Sequence, residues 1–278
     1  MTIPIYQVDA FTDRAFAGNP AAVCVLDAPM PDEWMQHLAA EMNLSETAFL
    51  SRREGRWPLR WFTPTTEVEL CGHATLASAH VLWETQRLGP DEPARFETRS
   101  GRLTARRAGD WIEMDFPATW PEPADAPPGL IESLGAEPVC VCGCGWTWLV
   151  EVADANVVRG VRPDFAALGA SPAGGAIVTS RSDLPACDFI SRCFAPVVGV
   201  DEDPVTGAAH CCLGPFWGER LGKEELVGWQ ASKRGGVVKV RVAGERVHLA
   251  GQAVTVFRGE LAESALATGR DPSTIGSD

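Results

Sequence analysis

One segment of this chain occurs twice. Arg60 to Cys71 reads RWFTPTTEVELC and Arg192 to Asp203 reads RCFAPVVGVDED, with Arg60/Arg192, Phe62/Phe194, Pro64/Pro196 and Val68/Val200 each 132 positions apart. Each copy runs into a Gly- and Ala-rich segment containing a His and closes on Leu-Gly, at Leu88-Gly89 and Leu221-Gly222. Further on, the stretch from Ala108 to Met114 answers that from Ala243 to Leu249, now offset by 135. A repeat of half the chain length is far too long for a solenoid or propeller. It predicts two related halves facing each other across a cleft, with any chemistry where they meet.

The 278 residues allow each half its own core. A net charge of −13 argues against nucleic acid or an anionic membrane as the main partner, because both repel an acidic surface. A small anionic ligand responds instead to the local field of a pocket. The start MTIPIYQVDAF has neither a basic nor a long apolar region, and no uninterrupted apolar run reaches membrane-spanning length, so a cytoplasmic protein is expected. In that setting all nine Cys are expected to be reduced. Cys140, Cys142 and Cys144 alternate and so fall on one face of a strand; no CxxC partner or nearby His completes a metal site. Cys211 and Cys212 read as packing residues.

The pattern along the chain predicts an α+β fold of two pseudo-symmetric domains, each a mostly antiparallel sheet curled around one central helix. Strands are expected over Ile3 to Phe11 and Ala21 to Leu26, with a turn at Gly18-Asn19-Pro20. Helical spacing marks Pro31 to Met42, stopping near Asn43. The long helices are Gly72 to Arg87 and Gly207 to Leu221, the first apolar on most sides, as enclosure by a sheet requires. Pro117 to Pro128 reads as an extended linker. The expected divisions are 1–117, 129–260 and a frayed, flexible tail over 261–278.

Both long helices begin in Gly-rich turns at matching points of the repeat. A helix start exposes unpaired N–H groups and a partial positive charge, which suits a carboxylate. If the halves are related by a twofold axis, Gly72-His73 and Gly207-Ala208 converge into an anion cradle. His73, at the first start, is placed to give or take a proton near neutral pH, its imidazolium disfavoured by the helix dipole. Asp203 precedes Pro204, which would also suit a helix N-cap, and it stands where Cys71 stands in the first half. Glu46, in NLSETAFL, has apolar neighbours at Leu44 and Phe49; burial would lift its pKa toward neutrality and suit it to general acid/base work. Its counterpart falls near Gly175, so the acid exists once. His80 reads as structural.

At these residues the chain resembles the PhzF-like phenazine-biosynthesis isomerase family, whose fold is that of diaminopimelate epimerase. The resemblance rests on VDAFTDRAFAGNPAAV (Val8 to Val23), NLSETAFL (Asn43 to Leu50), RWFTPTTEVELCGHAT (Arg60 to Thr75), EDPVTGAAH (Glu202 to His210) and SKRGGVVKVRV (Ser232 to Val242). It implies a site between the domains, no metal or organic cofactor, and usually a homodimer. It places the general acid/base on Glu46, with His73 and Asp203 beside it, and assigns carboxylate binding to the backbone at Gly72, His73, Gly207 and Ala208. Ala208 stands where the family often has Ser. Diaminopimelate epimerase uses a thiol in each half, whereas here Asp203 faces Cys71. The expected activity is cofactor-independent proton transfer on a small carboxylate-bearing substrate. The alternatives are a one-thiol racemase or epimerase using Cys71, and a carboxylate-binding protein without turnover.

Overall fold

The computed structural model describes residues 2–53 and 55–266. The first half runs β1 (Pro4–Ala10), β2 (Asn19–Leu26), α1 (Asp32–Met42), β3 (Glu46–Ser51), β4 (Trp57–Phe62), β5 (Glu67–Val68), α2 (Gly72–Glu84), β6 (Ala94–Thr98), β7 (Gly101–Ala108) and β8 (Trp111–Pro117). After a two-residue strand β9 (Glu122–Pro123) come α3 (Leu130–Leu134), β10 (Pro138–Gly143), β11 (Trp148–Val152), α4 (Ala155–Gly160) and α5 (Phe165–Ala170). The chain continues through β12 (Ala176–Arg181), β13 (Phe189–Ala195), β14 (Val200–Asp203), α6 (Gly207–Leu221), β15 (Glu225–Gln230), β16 (Gly236–Ala243), β17 (Arg246–Gly251), β18 (Ala253–Glu260) and α7 (Glu263–Leu266).

The strands obey the duplication. β2 runs parallel to β3 and β11 parallel to β12; β3 is antiparallel to β4 and β12 to β13; β4 is parallel to β6 and β13 to β15. The halves are sewn together where β8 meets β17, antiparallel, with Met114 opposite Leu249. Under the 135-residue offset Met114 is the counterpart of Leu249. Ile112 pairs with Gly251 and Phe116 with Val247, and the same offset exchanges these two pairs. A pseudo-twofold axis therefore passes through the Met114–Leu249 pair.

The terminal strands are shared differently from the divisions at 117 and 260. β18 pairs with β1, and the expected linker contributes β9, which pairs with β10. Each half thus supplies a strand to the other's sheet, because an open edge beside β1 or β10 would leave N–H and C=O groups unpaired. The flexible tail expected from 261 is ordered at its start: Leu261 N–H donates to Ile3 O, α7 follows, and the Trp34 indole donates to Ala265 O. Its remainder, 267–278, lies outside the described residues.

α2 is buried almost all round, from His73 to Ala79 and again from Val81 to Trp83. Its small residues let strands approach on every side. It ends at Glu84, earlier than the expected Arg87; Thr85 Oγ1 bonds back to Val81 O and Gln86 takes a left-handed φ of 57°. α6 matches its expected span despite Pro215 inside it. Proline removes the N–H that the carbonyl four residues back would receive. That carbonyl, Cys211 O, accepts instead from Thr119 N–H of the inter-half segment at 3.0 Å. Cys142 and Cys144 lie buried, with Cys140 packed against the same core. Contrary to an all-reduced set, Cys144 is joined to Cys212 of α6 in a disulfide. It tethers the β10–β11 turn to the helix.

Candidate active site

Four chain segments supply the site, and each delivers its side chain at the end of an element. β2 opens on Asn19, and β3 beside it opens on Glu46, the two strands being parallel with Ala21 opposite Glu46. The turn before Asn19 needs Gly18, whose φ is +64° and where a Cβ would sit 2.1 Å from Ala10 O. α2 starts at Gly72 and brings His73 in its first turn, with Cys71 just before it. β14 ends on Asp203.

These side chains meet. His73 Nε2 lies 3.1 Å from Glu46 Oε2. Its Nδ1 lies 3.5 Å from Cys71 Sγ and 3.2 Å from Asn19 Nδ2. The Asn19 amide also donates to Asp203 Oδ1 (2.8 Å) and to Val205 O (2.9 Å). Thr206 Oγ1 donates to Asp203 Oδ2, and Gln230 Nε2 to Asp203 O at 2.7 Å. Glu46, His73 and Asp203, expected to share a crevice, are thus one connected group. Asp203 is not the N-cap that Asp-Pro suggested: Thr206 holds the N-cap position of α6, and the Asp203 carboxylate faces Asn19 and Thr206.

The charges settle differently from the sequence expectation. Burial lifts the Glu46 carboxyl, but the His73 ring and the Cys71 thiol outweigh it and hold Glu46 below the usual carboxylate range. Burial pulls the His73 ring down; Cys71 and Glu46 reverse this and raise it well above its ordinary value, overriding the helix dipole. Asp203 is raised, burial being the main cause with Glu46 adding to it, opposed by His73, Thr206 and Asn19. The Cys71 thiol is pushed up to about 11 by burial and by Glu46. One atom stands out: Glu46 Oε2 is buried and has no aligned hydrogen-bond donor among the described residues.

Glu46, Cys71 and His73 also bring their ligating atoms within 4.8 Å of one another. At these distances the three groups can share protons.

The helix starts converge as the twofold axis requires. A Cβ built on Gly72 would lie 3.7 Å from Gly207 Cα, and the reverse approach is the same. Neither start is capped by a side chain. A cavity of about 260 Å³ opens against both, lined by Gly72, Gly207 and Ala208 with Phe116, Trp146 and Cys211 among its walls. A larger one, about 440 Å³, lies over Trp111, Lys239 and His248 and touches none of the candidate residues. His80 pairs with Thr255 Oγ1, away from this group. The sequence reading missed Asn19, Thr206 and Gln230. Asn19 had been read only as part of a turn, and its link to Asp203 spans 184 residues.

Residues 8–259 match the PhzC-PhzF family, described as phenazine biosynthesis-like protein. An uncharacterized isomerase of Halalkalibacterium halodurans is 55% identical over 94% of this chain and 99% of its own length. Another from Pseudomonas aeruginosa is 50% identical, again over 94% and 99%. A crystal structure of a PhzF-family phenazine biosynthesis protein from Enterococcus faecalis superposes with a TM-score of 0.90 at 40% identity, covering 94% of this chain and all of that one. The α+β, diaminopimelate epimerase-like architecture is common to these structures.

Proposed function

This chain belongs to the phenazine biosynthesis-like PhzC-PhzF family, and from that premise we propose that it is a cofactor-independent isomerase that moves a proton on a small carboxylate-bearing substrate. The substrate carboxylate lies on the backbone N–H groups of Gly72, His73, Gly207 and Ala208, where two helix dipoles favour an anion without Lys or Arg. Glu46 removes a proton from an activated carbon and returns one elsewhere. His73 and Asp203 hold or relay protons beside it. The observation that carries this reading is the buried Glu46 carboxylate set 3.1 Å from the His73 ring. A carboxylate against an imidazole can pass a proton between a ligand and the ring.

A positioned acid/base is worth about 10² to 10⁴ in rate. Glu46→Gln should accordingly lose at least about 100-fold in deuterium incorporation from heavy water into small unsaturated or aromatic acids, with its fold intact. Undiminished incorporation would reject the role. Cys71 supports a second reading, a one-thiol racemase, because its sulfur touches the His73 ring. Its raised pKa weighs against it. Cys71→Ser separates the two: loss of exchange with the fold intact places chemistry on sulfur, and retained exchange removes it.

A further inference from the structure

We propose that the cavity on the two helix starts selects a monocarboxylate whose remaining body is one uncharged apolar ring, and that Trp146 and Leu70 make that selection; this names the substrate class of the site described above and rests on its carboxylate cradle.

The walls carry the argument. Phe116 and Cys211 line the cavity and are buried, whereas Leu70 and Trp146 line it while 46% and 49% exposed. One comes from each half: Leu70 from the approach to α2, Trp146 from the β10–β11 turn. Two large apolar side chains left partly in water on one cavity form a surface that the apolar body of a ligand would cover. Trp146 is held in place. Its N–H donates to Cys144 O and Cys144 N–H donates to Thr147 O, both at 2.8 Å, and Cys144 is tied to Cys212 of α6. Beside Leu70, Glu69 O accepts from Ser100 Oγ at 2.6 Å. An aromatic wall so fixed binds a ring at little conformational cost.

Charge and size set the other limits. None of the described residues that line the cavity is Asp, Glu, Lys, Arg or His. Burial pushes the Cys211 thiol up to about 12, so it adds no thiolate. Thr119 supplies the one side-chain hydroxyl among these residues, and Ala208 adds none. The backbone N–H groups at the helix starts can receive one carboxylate. A second charge at the far end of the ligand would lose its water and meet no counter-charge. The volume of about 260 Å³ lies under the roughly 300 to 1,000 Å³ of drug-sized ligand pockets, which limits the body to about one ring.

The test is binding, measured as dissociation constants by ligand-detected NMR. The probes are benzoate, terephthalate, which adds a carboxylate opposite the first, and benzamide, which removes the charge. Benzoate should bind, with terephthalate and benzamide each at least about tenfold weaker. Trp146→Ala should weaken benzoate about tenfold, and Leu70→Ala less. Both side chains are half in solvent, so the fold should survive their loss. Trp146→Lys, which offers the far carboxylate a partner, should turn the preference toward terephthalate. Terephthalate held as tightly as benzoate by the wild type, benzoate unmoved by Trp146→Ala, or no binding of benzoate overturns the proposal. Benzamide held as tightly as benzoate overturns the carboxylate cradle and the proposal with it. No proton moves in this assay, so deuterium exchange retained in Glu46→Gln, with this binding pattern intact, would reject the acid/base role alone.

Discussion

The two mouths of the duplicated fold share a frame and differ in chemistry. Both halves carry the same brace: Arg60 grips Glu67 with two hydrogen bonds and lies 5.1 Å over the Phe62 ring, and Arg192 grips Glu202 the same way, 4.8 Å over Phe194. What the braces hold has diverged. Where the first half has Glu46, Cys71 and His73, the folded repeat sets Gly175, Thr206 and Ala208, the last two counted from the helix starts. Strand register supports the first of these matches, since Thr47 pairs with Phe62 as Ala176 pairs with Phe194. In the proposed function the second half keeps its helix start for binding and lends one carboxylate, and through Val205 O it orients Asn19 of the first. Duplication made the paired helix starts symmetric; substitution left Glu46, the proposed acid/base, on one side.

That asymmetry is enforced by space. A Cβ at Gly175 would lie 2.5 Å from Phe194 O, a backbone atom with nowhere to move. Gly175→Glu, which would restore the acid to the second half, should destabilise by more than about 3 kcal/mol through overpacking and a buried charge. Chemical denaturation measures it; a loss under 1 kcal/mol would show that the halves are exchangeable at this point. The braces differ in depth. The Arg192 side chain is 10% exposed and also donates to Val161 O at 2.7 Å, whereas Arg60 is 28% exposed. Arg192→Met should cost about 3 kcal/mol by leaving Glu202 and a carbonyl unpaired. Arg60→Met, in better-hydrated surroundings, should cost about 1 kcal/mol. Equal losses in the two unfolding curves would contradict that ranking.

Much of this was legible in the sequence. The repeat gave the α+β halves, and local patterning gave α1, α2 and α6, because periodicity and glycine punctuation act over short range. Glu46, His73 and Asp203 were nominated and do come together. Asn19 was not nominated, because a residue in a Gly-Asn-Pro turn looks like any turn residue until strand pairing sets it beside α2. The directions of the Glu46 and His73 shifts were missed for the same reason. Burial and the helix dipole were visible in the sequence, but the 3.1 Å contact that outweighs them is a tertiary fact. The exchange of β9 and β18 between halves was equally hidden, since a short edge strand carries no mark of its partner.

A last comparison lies inside the two central helices. Counted from Gly72 and Gly207, Thr75 and His210 occupy matching positions, and each bonds to the carbonyl four residues back: Thr75 Oγ1 to Cys71 O at 2.6 Å, His210 Nδ1 to Thr206 O at 2.8 Å. The geometry is the same, but only the histidine titrates. Burial brings His210 down to about 4, and its Nε2 has no partner among the described residues. The unfolded chain protonates this ring near pH 6.5 and the folded chain only near 4, so between those values the unfolded state binds more protons and stability falls as pH falls. Taken from pH 7 to pH 5, this ring alone should remove roughly 2 kcal/mol. His210→Gln keeps a side-chain donor for Thr206 O and does not titrate. Its unfolding free energy should drop less than that of the wild type over the same interval, by about that amount. Parallel pH dependences in the two proteins would mean that the ring is hydrated or charged in the folded state. The second helix would then carry a titrating group open to its surroundings where the first carries an inert hydroxyl.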